Sequence, residues 1–384
     1  MFVQGSTPSS ASQASSRSAE DEVKRNHRID DFFSRHGLSR LTKKECDAYA
    51  LRRFPSSAIR PASSQGYCSY TLAISDDHVL QFRPDMFKLD MDICRGAKDV
   101  FGKLAPETVY LGVMTGISIQ PTRCHNARLH IYLQDRLPGI SLASFREHSP
   151  AACSEKHRRR LVEDMAHVFA VSYHRRRPLH RRGSRESDAV AKGKIGNSLR
   201  WRLDMLKDLP GEQLAHHVSA AKRNIRAIEQ LPWCLTHGDL VASNILVDAE
   251  TGHLTGLVDW AEGEWLPLGI GLYGLDELLG HEAAAPGTGF QYFDDHEGLR
   301  QVFWDRFLYL CRDGFELGTG LRLKEVQLAR NMGIMLWRGI AFDDGRIDRV
   351  VQAGRDDSEL HKLQLFLNAP SGLEERSLGP HVGS

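Results

Sequence analysis

The chain has 384 residues, 41% of them hydrophobic, with 50 lysines and arginines against 49 aspartates and glutamates. A formal net charge of +1 gives no global field toward nucleic acid or an anionic membrane, and no apolar run approaches the ~20 residues of a membrane span, so neither is an expected partner. Seven scattered cysteines with no C-x-x-C pair argue against a disulfide framework or zinc site, and with no apolar leader they point to a reducing, cytoplasmic location for an ordinary globular protein of about two lobes.

Residues 1–25 are Ser-rich and nearly free of large apolar side chains, a composition expected to stay disordered. Glu20, Asp21 and Glu22 argue against a transit peptide there. Ile29-Asp30-Asp31-Phe32-Phe33 and the segment from Thr42 read as helical, with Thr42 and Glu45 as a capping box. A smaller, β-rich lobe starts near Ala58. Residues 65–72 read as a strand beside a turn, and 78–82 as its partner. Along Val79-Leu80-Gln81-Phe82-Arg83, strand alternation puts Gln81 and Arg83 on one face. Residues 109–112 and 129–133 are further short strands. Pro138-Gly139 marks the boundary, giving an N-terminal lobe with its preceding helices over 26–138 and a C-terminal lobe over 139–367.

In the second lobe, Leu161, Met165, Val168 and Phe169 keep helical spacing over 154–173. The basic run 174–185 carries Pro and Gly without interleaved aromatics, the pattern of a solvated loop. Helices follow around Leu199, Leu203 and Leu206, and around Leu214, Val218, Ile225 and Ile228. The most informative stretch is 235–269, whose core reads L-T-H-G-D-L-V-A-S-N-I-L-V-D, then T-G-L-V-D-W. Ile245-Leu246-Val247 and residues 254–258 are apolar runs separated by Ala249-Glu250-Thr251-Gly252, which predicts a hairpin. Such a hairpin sets Asn244 at the start of one strand beside Asp259 at the end of the other. Phosphoryl transfer needs a carboxylate to orient or deprotonate an attacking hydroxyl, and oxygen ligands for Mg²⁺. Asp239 can supply the first, and Asn244 with Asp259 the second. Beyond Gly269, helices are expected over 272–279, 297–315, 324–342 and 358–367, then a flexible tail over 368–384.

The H-G-D-L-x-x-x-N pattern at 237–244 and the V-D-W at 258–260 resemble the aminoglycoside phosphotransferase and choline kinase branch of the protein-kinase-like fold. The wider phrasing, Q-G-Y-C-S-Y-T-L then V-D-W-A-E, looks like the fungal members of that family. The resemblance implies a two-lobe α+β fold, with a small β-rich N-lobe and a larger, mostly helical C-lobe. It implies an ATP- and Mg²⁺-dependent phosphotransferase acting on a small-molecule hydroxyl, with Asp239 as base and Asn244 and Asp259 on the metal. The 65–72 segment becomes the nucleotide-covering hairpin, with the single Gly66. The stretch 134–139, with Asp135 and Leu137, becomes the hinge whose backbone pairs with adenine. The departure lies on the strand that usually carries a phosphate-gripping Lys or Arg. The aligned residue is Gln81, so either Gln81 or Arg83 fills that place, with Asp90 or Asp92 as the acidic partner. His237 reads as a structural ring and Trp260 as core packing, while Glu262 and Glu264 read as solvated loop acids. Acid pairs Asp294-Asp295 and Asp343-Asp344 are candidates to receive a cationic acceptor. Two rivals remain: a pseudokinase scaffold, motivated by the missing lysine, and a kinase-fold enzyme with different chemistry on a secondary metabolite.

Overall fold

Alternating apolar residues build the first of two units in the computed structural model, which describes residues 10–63, 65–117, 128–148, 154–177, 199–283, 289–312, 322–343 and 347–373. This unit comprises Met1–Met91 and Glu107–Arg136. β1 (Ile59–Pro61), β2 (Tyr70–Ile74), β3 (His78–Pro84), β4 (Thr108–Thr115) and β5 (Arg128–Asp135) pair antiparallel in the order β1-β2-β3-β5-β4. Tyr70, Leu72, Ile74, Leu80, Phe82, Leu129 and Ile131 bury on one face with Ile29, Phe32 and Phe33 of α1 (Ser10–Arg35) and Cys46 and Ala50 of α2 (Arg40–Arg53). The helix α1 opens at Ser10, within the stretch expected to be disordered. Ala11, Gln13, Ala14, Arg17 and Ala19 are good helix formers, and they extend a helix anchored further on by its aromatic pair. The cap of α2 also differs from expectation. Ser39, not Thr42, is the N-cap, accepting from the Thr42 N–H. The buried Thr42 hydroxyl instead pairs with both backbone groups of Ile117.

The opposite face of this sheet is polar. Gln81 stands in register with Thr71 on one side and Tyr132 on the other. The chain leaving β3 is clamped to the same face. Asp85 meets His130 at 2.6 Å and Arg128 at 3.0 Å, and the Leu89 N–H donates to the Tyr132 hydroxyl at 3.1 Å.

The second unit comprises Asp92–Pro106 and Leu137–Ser384. It contains α3 (Met91–Phe101) from Asp92 onward, β6 (Ile140–Ser141), α4 (Leu142–His148), α5 (Glu155–His174), α6 (Leu199–Met205) and α7 (Glu212–Glu229). Then come β7 (Trp233–Thr236), β8 (Ile245–Val247), β9 (Leu254–Leu257), β10 (Glu264–Pro267), α8 (Tyr273–Leu278), β11 (Gly280–Glu282), β12 (Phe290–Tyr292), α9 (His296–Cys311), α10 (Leu323–Arg338) and α11 (Asp357–Asn368). The expected 26–138 lobe is therefore interrupted: 92–106 belong to the helical unit. The reason is packing, since Ala97 and Phe101 of α3 sit in its core and the Phe101 ring stacks on Trp260 at 5.1 Å. Two β-rich and helical units of this kind make the fold class two-lobe α+β. No described helix is long and apolar enough to cross a membrane.

Candidate active site

Topology brings two loops of the helical unit together. Residues 237–244 leave β7 and enter β8, while 258–263 leave β9 and enter β10. Because β7 pairs with β10 and β8 with β9, the two connections must run side by side. The Val258 N–H donates to the Asn244 carbonyl at 2.9 Å, so Asn244 and Asp259 flank one rung of the hairpin. Gly238, at φ 79°, makes the closest approach. A Cβ there would overlap the Glu262 carbonyl, so only glycine fits.

Asp239 lies at the centre, half-buried. The Asn244 amide reaches back to it, donating to its carbonyl at 3.0 Å and to its carboxylate at 2.8 Å. That use of the amide nitrogen orients the Asn244 oxygen away from the aspartate. Asp259 adopts a left-handed backbone, φ 62° and ψ 68°, a strained state for a non-glycine residue and one that clusters at functional sites. Its carboxylate is a hard oxygen donor, as is Asn244 Oδ1, which accepts from the Ser243 hydroxyl at 3.5 Å. Among the described residues no three His, Cys, Asp or Glu side chains converge into a metal site. One carboxylate with one amide oxygen suits Mg²⁺, which keeps water and phosphate for its other positions.

His237 holds the two loops in place. Its Nδ1 accepts from the Asp239 N–H at 3.3 Å, so the proton sits on Nε2, which donates to the Val258 carbonyl at 2.9 Å. Burial pushes its pKa down to about 4, against smaller raising effects from that bond and from Asp259. The ring is thus neutral at pH 7, a brace and not a base. Trp260 is buried with its ring 4.6 Å from His237 on one side and Phe101 on the other, which makes it core packing as expected.

One partner lies outside anything the sequence pointed to. The buried Tyr273 hydroxyl accepts from the Leu240 N–H at 3.1 Å, and Gly274 leaves room for the Leu240 side chain. Burial first, then the Asp239 charge, raises the Tyr273 pKa well above its usual value, so it stays a neutral phenol. A lone tyrosine in an apolar run carries no signal in the sequence. Glu264, expected as a solvated acid, is buried opposite Thr236 in β10. The charges of Glu264 and Glu262 act on Arg202, whose pKa burial nonetheless lowers to about 10.

The remaining predicted residues lie elsewhere. Gly66 is exposed on the loop before β2, and a side chain there would meet nothing nearer than Ser69 Oγ at 3.9 Å, so no close approach requires glycine. That loop is closed by Gln65, whose amide pairs with both the N–H and the carbonyl of Thr71, and the strand starts only at Tyr70. Arg83 is 1% exposed, donating from Nε to the Phe87 carbonyl at 2.8 Å and from Nη1 to Gln81 Oε1 at 3.0 Å. Asp135 is tied to Glu107, its N–H donating to the Glu107 carbonyl and its carboxylate accepting from the Glu107 N–H. Leu137 belongs to the helical unit and packs over Gly256. Asp92 pairs with Arg95 on the exposed side of α3.

One acid of each pair is held by arginine. Asp295 is gripped by Arg158 at 2.8 and 3.1 Å, and Asp343 by Arg349 and by Arg355 at 3.3 Å. Arg158 lies 137 positions from Asp295, a partnership that residue spacing does not reveal. Asp344 and 178–185 of the basic run lie outside the described residues.

The family model of the phosphotransferase enzyme family matches residues 79–269. Among solved structures, the GDP complex of wild-type aminoglycoside 2'-phosphotransferase-IIIa is 14% identical over 86% of this chain and 96% of that one, with a TM-score of 0.47. Choline kinase from Cryptosporidium parvum Iowa II is 10% identical over 88% of this chain and 98% of that one, with a TM-score of 0.48. No curated protein gives a significant match. The likeness to fungal members finds no support among these matches.

Proposed function

The chain belongs to the phosphotransferase enzyme family, and from that premise we propose that it moves the γ-phosphoryl group of ATP onto a hydroxyl of a small molecule. Such transfer asks a protein mainly for positioning and charge stabilisation. Asp239 takes the attacking hydroxyl's proton, its carboxylate fixed by the Asn244 amide at 2.8 Å. Asn244 Oδ1 and the Asp259 carboxylate would hold Mg²⁺, which would supply charge neutralisation to the phosphate oxygens. His237 keeps the loop backbone in place and moves no proton. In this reading Gly66, Gln81 and Arg83 serve the nucleotide from the β-rich unit, and the backbone about Asp135 and Leu137 takes the adenine edge.

The observation that carries the proposal is the reach of Asn244 back to Asp239, one side chain serving both the base and the cation. Asp239→Asn is expected to keep ATP binding and lower kcat roughly 100-fold or more. Asn244→Ala and Asp259→Ala should abolish the Mg²⁺ dependence of the thermal shift caused by ATP, with circular dichroism unchanged. An Asp239→Asn protein that turns over like the parent removes Asp239 from its role. The neutral Gln81 favours a second reading, a scaffold without catalysis, which an ATP-induced thermal shift indifferent to Mg²⁺ in the parent would select.

A further inference from the structure

We propose that Tyr110 is a second nucleophile of this chain, a phenol backed by His130 and Asp85 that accepts the γ-phosphoryl group of ATP. For its donor the inference rests on the phosphotransferase reading, while the acceptor is argued from the β-rich unit alone, to which all three residues belong. The Tyr110 hydroxyl lies 3.1 Å from His130 Nδ1, and His130 Nε2 lies 2.6 Å from Asp85 Oδ1. A carboxylate only accepts, so a neutral imidazole there carries its proton on Nε2 and offers the Nδ1 lone pair to the phenol. His130 is buried, and its hydrogen bond, ahead of the one from Arg128, holds the Asp85 carboxyl below its usual range. The order hydroxyl, imidazole, carboxylate is the one that activates a hydroxyl nucleophile, with the carboxylate fixing the tautomer and the ring.

Placement supports the role. β4 is the edge of its sheet and Tyr110 is 41% exposed, whereas Tyr70, Tyr132, Tyr173 and Tyr273 are buried. The register along β4 slips between Tyr110 and Gly112, so that Tyr110 pairs with Tyr132 but Val113 with His130. A bulge of this kind re-aims a side chain, and here the phenol ring tilts toward the imidazole, 5.9 Å between centroids. In the step, the phenol oxygen forms a bond to the γ-phosphorus, the bond from that phosphorus to the bridging oxygen breaks, and ADP leaves. The phenolic proton passes to His130 Nδ1. A phosphoryl group suits this place better than a neutral one. The proton left on Nδ1 becomes a donor to the new phosphate, and Arg128, held on the other Asp85 oxygen at 3.0 Å, adds a second positive charge to the patch.

Incubating the full-length protein with Mg²⁺ and ATP, then digesting it for mass spectrometry, tests this. The Tyr110 peptide should gain one phosphoryl group, absent from Tyr110→Phe and formed roughly 100-fold more slowly in His130→Gln, the scale of a lost base. The gain should fall in Asp239→Asn as turnover does. An aryl sulfonyl fluoride probes the phenol without ATP: the phenol oxygen bonds to sulfur, fluoride leaves, and His130 takes the proton. It should label Tyr110 ahead of Tyr309, which is 53% exposed but stands against the Arg312 guanidinium. His130→Gln should abolish that preference. Asp85 is a positioning residue acting through His130, so Asp85→Asn should slow the probe and Asp85→Glu should keep it reactive. Tyr110 left unmodified by a protein that turns over ATP, or a probe indifferent to His130, overturns the proposal. A parent that neither binds nor hydrolyses ATP overturns the phosphotransferase reading, and with it the donor named here.

Discussion

Single residues set the tolerances of the 237–244 loop. Gly238 combines a left-handed φ of 79° with contact against the Glu262 carbonyl, so Gly238→Ala meets both a backbone penalty and a steric one. The expected loss is about 2–4 kcal/mol, read as a fall in the urea midpoint, and an unchanged midpoint would mean the loops are not packed this tightly. His237 predicts a pH effect of definite sign. Its folded pKa of about 4 lies below the ordinary histidine value of 6.5, so between these values the unfolded chain binds more protons. The stability contributed by burying the neutral ring is complete above pH 6.5 and drains away as pH falls toward 4. Lowering pH from 7.5 to 5 should cost about 2 kcal/mol through this group. The check is urea unfolding at the two pH values for the parent and for His237→Gln, whose amide does not titrate. Equal pH slopes in both proteins would remove His237 as the source.

At the level of elements, the site is a product of strand pairing. The hairpin of β8 and β9 was legible because its turn residues announce it, and Asp248 caps that turn by accepting from the Glu250 and Thr251 N–H groups. Helices were legible from apolar spacing, with ends displaced by a few residues: 324–342 against the observed Leu323–Arg338, for instance. Depth and partnership were not legible. Alternation along β3 places Gln81 and Arg83 on one face but says nothing of which is enclosed. Nothing local to Phe101 of α3 says that its ring stacks on Trp260. Arg158 lies 137 positions from Asp295, and no local pattern joins them. Tyr273 was invisible for the same reason: its partner, the Leu240 N–H, is a backbone group that every non-proline residue has.

Across the molecule, the two units are held differently, and the helical one has an electrostatic knot. Asp276 on α8 is fully buried and accepts from Arg300 of α9 at 2.9 Å, from Arg330 of α10 at 2.8 Å and from the Tyr292 hydroxyl of β12 at 2.9 Å. Arg330 also donates to the Phe366 carbonyl of α11 at 3.0 Å, so one carboxylate gathers four elements. Losing a partner from a buried charge cluster costs far more than the cluster is worth, because the remaining charge has neither water nor counter-ion. Asp276→Ala would strand two guanidinium groups at once, whereas Arg300→Met leaves the bond between Asp276 and Arg330 intact. Asp276→Ala should therefore destabilise by about 3–5 kcal/mol, and Arg300→Met by distinctly less, in urea unfolding at pH 7. Because Tyr273 on the same helix braces Leu240, kcat should fall in Asp276→Ala at temperatures where the protein is still folded. Equal destabilisation by the two variants would mean that the arginines find other partners, and that packing of the apolar core alone fixes α8 beneath the 237–244 loop.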